Sequence, residues 1–297
     1  MSGEYVIFSD ASADLDKKTL AKDGITLIPM QFMLGKDTYL RYGDDRGISP
    51  ADVFTRLAQG ERGGTSHITV AAFLAILRPY LEEGKDLFII TLSSGISRNF
   101  SKAFVALNQL INEYPDRQMK VLDSFTGGAG LDGLLEAVSE NQRKGMTLEE
   151  NYAKSYALVE KIRTWILLDD PKMVKSSSLL ALPQNFIIRN LRRKPLLHLD
   201  DCGHIAGTEA AVDRRKGSEL LFLHVKATLP DPRNAILYIA HDPNEKEADD
   251  LKRRFLDELK VREVRIFPLS PIMAVYSGPA ALVVSYVGKE RRLKRPI

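Results

Sequence analysis

The sequence predicts a two-domain α/β protein. An N-terminal α/β/α domain is built on a parallel sheet, and a C-terminal α/β domain on a mixed, partly antiparallel one. Three observations carry that expectation. Continuous apolar runs such as "DLFIIT" (86–91) alternate with amphipathic helical patterns through the first half, as strands buried on both faces do. After "LEENYAKSYALVEKIRTW" (148–165) that alternation gives way to a hairpin signature and closely spaced short runs. The length, 297 residues, is long for one compact domain and suits two. The boundary is expected near residue 155, giving domains 1–155 and 156–290 and a basic tail, 291–297.

Along the chain, "YVIFSD" (5–10) is a short buried strand, and "LDKKTLAKDG" (15–24) a helix stopped by Gly24. "ITLIPMQFML" (25–34) reads as strand, proline break, strand. "SPADVFTRLAQG" (49–60) opens with Ser49 as N-cap and Pro50 at the first helical position, and closes on Gly60. A helix (69–84), the strand "DLFIIT", a longer amphipathic helix (97–114), the strand "MKVLDS" (119–124) and a helix with a glycine-rich start (127–145) follow. "TWILLDD" (164–170) is a strand, "SLLALPQNFIIRNL" (178–191) a helix, and "KPLLHLDDCGHIAGTEAAVD" (194–213) a hairpin turning at "DDCG". A helix (217–227), a strand (234–240), a helix (245–259) and three short apolar runs (263–267, 271–275, 281–286) complete the pattern.

Composition excludes several classes. Net charge is +3, too small to argue for nucleic acid, although basic clusters occur at 189–194, 213–217 and 288–296. No apolar run approaches the roughly 18 residues of a membrane span, and the start lacks a signal-peptide pattern, so a cytoplasmic protein with no stable membrane insertion is expected. Cys202 is the only cysteine, which precludes an intrachain disulfide, and no His/Cys/Asp cluster has recognisable metal-ligand spacing. Neither a metal nor a cofactor is expected.

Chemistry concentrates at strand ends. Asp10 and Ser12, Ser93 and Ser94, and Asp123 and Ser124 all follow predicted parallel strands, where ligands of such sheets bind. Capping explains any one of these as well as function does. "TLSSGISRNFSKAF" (91–104) lacks the G-x-S-x-G of a nucleophile elbow, and none of His67, His198, His204, His224 and His241 sits in a motif that marks a base. No phosphate loop is present, and Gly127, Gly128 and Gly130 are equally consistent with anion binding and with tight helix–sheet packing. A carboxylate grip by serine and threonine hydroxyls fits better, as a site that binds rather than reacts. A serine-dependent hydrolase or transferase acting on a small acyl substrate through Ser93 or Ser94 is the alternative.

Several segments in order resemble the DegV family of bacterial fatty-acid-binding proteins: "SDASADL" (9–15), "ITLIPM" (25–30), "YGDDRGISPADVF" (42–54), "TSHIT" (65–69), "SSGISRNFSKA" (93–103), "VLDSFTGGAGLDGLLEA" (121–137) and "YSGPAAL" (276–282). The resemblance implies a two-domain DegV-like fold that buries a long-chain fatty acid such as palmitate. Its carboxylate would be held by Thr65 and Ser94 first, with Ser66, Ser93 and Ser97 as neighbours and Tyr276 in place of a usual histidine. Ser97 also suits the cap of the following helix. The resemblance further implies a protein without catalysis of its own. It would present the fatty acid to a dihydroxyacetone-kinase-like fatty acid kinase, which forms an acyl phosphate for phospholipid synthesis, with Arg214 and Arg215 as docking candidates. Departures fall at "MVKSSSLLA" (173–181), where glycines and an arginine are usual, at His67 and Ile68, and at Tyr276 and Ala280.

Overall fold

The computed structural model describes residues 5–44, 46–169, 192–242 and 245–293. The predicted helix over 178–191 and the divergent segment 173–181 lie outside the described residues. Four strands form an all-parallel first sheet in the order β2 (Ile25–Ile28), β1 (Tyr5–Asp10), β6 (Asp86–Thr91), β7 (Met119–Asp123). Every residue of β6 is buried, which is why its sequence shows no polar alternation. Helices α3 (Val70–Glu82), α4 (Asn99–Glu113) and α6 (Leu148–Val159) pack on this sheet. As expected, the Ser49 side chain caps α2 (Pro50–Ala58) by accepting from the Asp52 amide.

The second sheet has six strands in the order β10 (Ile205–Ala211), β9 (Lys194–Leu199), β8 (Ile162–Leu167), β13 (Leu282–Val287), β11 (Ile236–His241), β12 (Glu263–Pro268). Only β11 and β12 pair in parallel, and β9–β10 is the predicted hairpin. Helix α5 (Ala129–Arg143) lies between the sheets, packing on β1 and on β8, β11 and β13. Its glycines serve that close approach. A Cβ on Gly130 would come within 2.8 Å of the Thr164 hydroxyl, and one on Gly133 within 2.9 Å of the Tyr238 ring. The packing reading of this glycine-rich start therefore holds. One continuous core joins Ile7, Phe88 and Leu134 to Ile166, Leu197 and Val283, and a second cluster around Trp165, Phe222 and Phe255 fills the outer face of the second sheet.

Several expectations need correction. A third sheet, β4 (Asp37–Arg41), β3 (Met30–Leu34), β5 (Gly63–Thr65), was not foreseen. The 271–275 run is part of a short helix, Pro271–Ser277, capped by Ser270. Helix α6 packs on β6 and β7, and the second sheet starts at Ile162. Arg291 is only 3% exposed and donates to the carbonyls of Phe125, Val159 and Asp200, which draws it into the junction. No described helix is long and apolar enough to cross a membrane.

Candidate functional site

The strand ends of the first sheet carry a hydrogen-bonded framework rather than open chemistry. Asp10 is fully buried, and one of its oxygens takes the Leu92 amide (2.8 Å) and the Asn99 side chain (3.0 Å), while the other takes the Ser12 amide and hydroxyl. Burial raises its pKa, and the hydrogen bonds from Ser12 and Asn99 oppose the rise. Asp123 Oδ1 accepts from the amides of Ser94 (3.1 Å) and Phe125 (3.0 Å). Ser93 is buried, with its hydroxyl donating to the Gly203 carbonyl at 2.8 Å in the β9–β10 turn. Gly95 makes that contact possible, since a Cβ there would lie 2.6 Å from the Cys202 carbonyl oxygen.

Beside this framework an apolar slot runs between the two halves of the chain. Met30, Leu92, Ile96, Ile166, Leu197 and Met273 are among its walls, and its polar lining comes from Thr65, His67, Ser97, Tyr276 and Ser277. The Tyr276 hydroxyl accepts from the Thr65 amide at 2.9 Å and shares a 2.8 Å hydrogen bond with the Thr65 hydroxyl. Ser97 Oγ accepts the Asn99 amide at the start of α4 and lies 3.4 Å from His67 Nδ1. Burial lowers the His67 pKa, and the cations Arg98 and Lys102 lower it further, all favouring the uncharged imidazole. The slot encloses about 70 Å³. A larger cleft of about 590 Å³ is lined by Lys22, Asp23, Glu136, Arg143 and Arg265 among others. Its charged walls suit water, so the smaller apolar slot is the better ligand candidate.

The residues predicted from sequence therefore divide. Thr65, Ser97 and Tyr276 meet at the slot. Ser93 faces away into the hairpin contact. The Ser94 backbone is held by Asp123 and its side chain is outside the slot lining, and the Ser66 amide donates to the Gln31 carbonyl at 3.0 Å. Arg214 is engaged internally, bridging to Glu247 at 2.8 Å and donating to the Ala280 carbonyl, while Arg215 is exposed. His67 was noted only as a departure, because a lone histidine carries no spacing signal. Its nearness to Ser97 supplies the one Ser–His contact at the slot. Its lowered basicity and cationic surroundings are the reverse of a triad, in which a carboxylate raises the base. In the β9–β10 turn, Asp200, Cys202 and His204 place their ligand atoms within 4.8 Å of one another.

A family model described as "Uncharacterised protein, DegV family" matches residues 4–289. The chain belongs to the DegV family. DegV proteins of known structure share its fold. A Thermus thermophilus DegV protein, described for its fatty acid binding, superposes with a TM-score of 0.86 at 20% identity, covering 96% of this chain and 100% of that one. A stearic-acid-binding protein from Eubacterium ventriosum gives 0.85 at 20% identity, with 96% and 98% covered. The Streptococcus pneumoniae fatty acid kinase B3 protein, loaded with linoleic acid, gives 0.81 at 18% identity, with 96% and 100% covered.

Proposed function

We propose that this DegV protein binds a long-chain fatty acid without transforming it. The observation that carries the reading is an apolar slot with hydroxyls gathered in its lining, Thr65 and Tyr276 in mutual contact with Ser97 close by. A carboxylate seated there would accept from the Thr65, Ser97 and Tyr276 hydroxyls, and the acyl chain would follow the aliphatic walls. Ser93, Ser94 and Ser66 then act by holding the loops that present those groups. Fatty-acid-loaded DegV proteins of the same fold support the choice of ligand.

Magnitudes fit the division of labour. About 14 buried methylenes at ~0.8 kcal/mol each supply on the order of 11 kcal/mol gross. Association removes about 4 kcal/mol or more. Hydrogen bonds to the carboxylate add ~1.5–3 kcal/mol apiece, so the chain supplies affinity and the hydroxyls set orientation. The slot's 70 Å³ is well below the roughly 300 Å³ at which ligand pockets begin, so its walls must part to admit an acyl chain. Met30 and Met273, unbranched and flexible, are suited to that repacking.

The family's partnership extends the reading: the protein presents its ligand to an acyl-phosphate-forming fatty acid kinase. Arg215, exposed and free of the Arg214–Glu247 bridge, is the better docking cation of the pair.

Native mass spectrometry of the purified chain, repeated after solvent extraction, tests the proposal directly. A stoichiometric fatty acid, or uptake of added palmitate or oleate, is the expected result. A chain that neither retains nor takes up either one overturns it. Covalent labelling of one serine by a fluorophosphonate would instead support the hydrolase alternative.

A further inference from the structure

The turn joining β9 to β10 gathers three different metal-ligating side chains on five residues, "DDCGH" (200–204). We propose that Asp200, Cys202 and His204 form a site for a single borderline-soft divalent transition ion, zinc in the first instance.

The turn is preorganised. Its ends close through the Asp200 amide to the His204 carbonyl (2.9 Å) and the Gly203 amide to the Asp200 carbonyl (3.0 Å). Asp200 Oδ1 accepts the amides of Cys202 (2.8 Å) and His204 (2.9 Å) and lies 3.7 Å from His204 Nδ1, which sets residues 200, 202 and 204 around one centre. The three ligand atoms already lie within 4.8 Å of one another. Metal–ligand distances of about 2.0–2.3 Å imply ligand–ligand separations of about 3.3–3.8 Å in a tetrahedral site, so small side-chain rotations close the gap. His204 is exposed and Cys202 and Asp200 are half-buried, which permits those rotations and gives solvent ions access.

Donor chemistry selects the ion. One thiolate, one imidazole and one carboxylate disfavour magnesium and calcium, which take oxygen ligands, and favour zinc or cobalt. Three protein ligands leave the fourth position to water. The turn is also anchored from behind: Gly203 accepts the Ser93 hydroxyl, and the Asp200 carbonyl accepts from Arg291. A bound ion therefore sits on the anchored end of the hairpin and uses none of the slot's hydroxyls as ligands, so the proposal stands apart from the fatty-acid reading.

The test uses the full chain, stripped with chelator and kept reduced by a phosphine. Titration with zinc against a chromogenic chelator is expected to show one saturable equivalent. Cobalt in its place should give a thiolate-to-metal charge-transfer band. Cys202→Ser should abolish the band, and both Cys202→Ser and His204→Ala should weaken zinc binding at least tenfold, with unchanged melting temperature in the metal-free state. Absence of a saturable equivalent overturns the proposal. So does zinc binding that survives both substitutions, which would place the ion elsewhere.

Discussion

Two sets of polar residues at the strand ends and the slot do opposite work. Asp10, Ser93, Asn99 and Asp123 are buried and aim their side chains at backbone amides, carbonyls or each other, so they brace the loops. Thr65, Ser97 and Tyr276 line an apolar slot, and the hydrogen bond that Thr65 and Tyr276 share can be exchanged for bonds to an incoming anion. Ser93 and Ser97 show the contrast most sharply, being four residues apart on one loop. Facing the slot, rather than residue type or position at a strand end, separates recognition from support.

The largest expected effect breaks the bracing set. Asp10→Ala leaves the Leu92 amide and the Asn99 and Ser12 side chains without their acceptor, each costing about 1–3 kcal/mol when buried. The denaturation midpoint should fall by an amount equal to roughly 3 kcal/mol or more. A loss under about 1 kcal/mol would mean that water substitutes for the carboxylate. Gly95→Ala comes next, forcing a methyl against the Cys202 carbonyl at a cost of about 2 kcal/mol. Its signature is lost hydrogen-exchange protection of the Asp200 and Gly203 amides that close the β9–β10 turn, and an unperturbed hairpin would count against the packing argument.

Recognition variants should behave in reverse, with affinity falling while the fold stands. Tyr276→Phe and Ser97→Ala are each expected to weaken fatty-acid binding about tenfold, equivalent to ~1.4 kcal/mol, with stability changed by less than about 1 kcal/mol. Ser94→Ala, outside the slot lining, should change affinity by less than about twofold. Equal losses for Ser94 and Ser97 in a calorimetric titration would erase the distinction between the two sets.

A smaller effect concerns pH. Burial pushes Asp14 up to about 6, and burial together with the Asp14 charge holds Asp132 well above the ordinary carboxyl range. A raised folded pKa means that the native state retains protons which the unfolded chain, near 3.9, has released. Stability from this pair is therefore full below about pH 4; the Asp14 share is lost as pH rises through about 6, and the Asp132 share is lost as pH rises through its own raised pKa. Asp132→Asn keeps an acceptor for the Asp14 and Leu15 amides and removes one titration. In thermal melts it should gain on the parent chain as pH rises above about 4, and parallel curves would refute the linkage.

Legibility in the sequence followed the same physics. Strand β6 was readable because it is apolar throughout, α2 because Ser49 and Pro50 mark its start, and the β9–β10 hairpin because turn residues separate two apolar stretches. Strand β5, "GGT", has no strand propensity and exists through its pairing with β3, and β4 is largely exposed, so neither left a pattern. Thr65 and Tyr276 are 211 residues apart in sequence, and their meeting was reachable only through the family resemblance. Which serine of the 93–97 loop faces the slot depends on the carbonyl that Ser93 finds in the other half of the chain, and no local spacing encodes that. Arg291 was hidden among like charges, since a buried arginine and a solvated one are written alike.

The position of β13 has a consequence for how the chain reaches its native state. It is the last described strand, yet it lies inside the second sheet, where Val284 pairs with both Trp165 and Ile239. Until residues 282–287 arrive, β8 and β11 each present an unpaired edge with no direct neighbour between them. Pairings across more than a hundred residues are slow to form, and exposed edges of this kind invite strand exchange between molecules. Nascent chains of this protein therefore pass through a late window in which one missing strand separates productive folding from self-association.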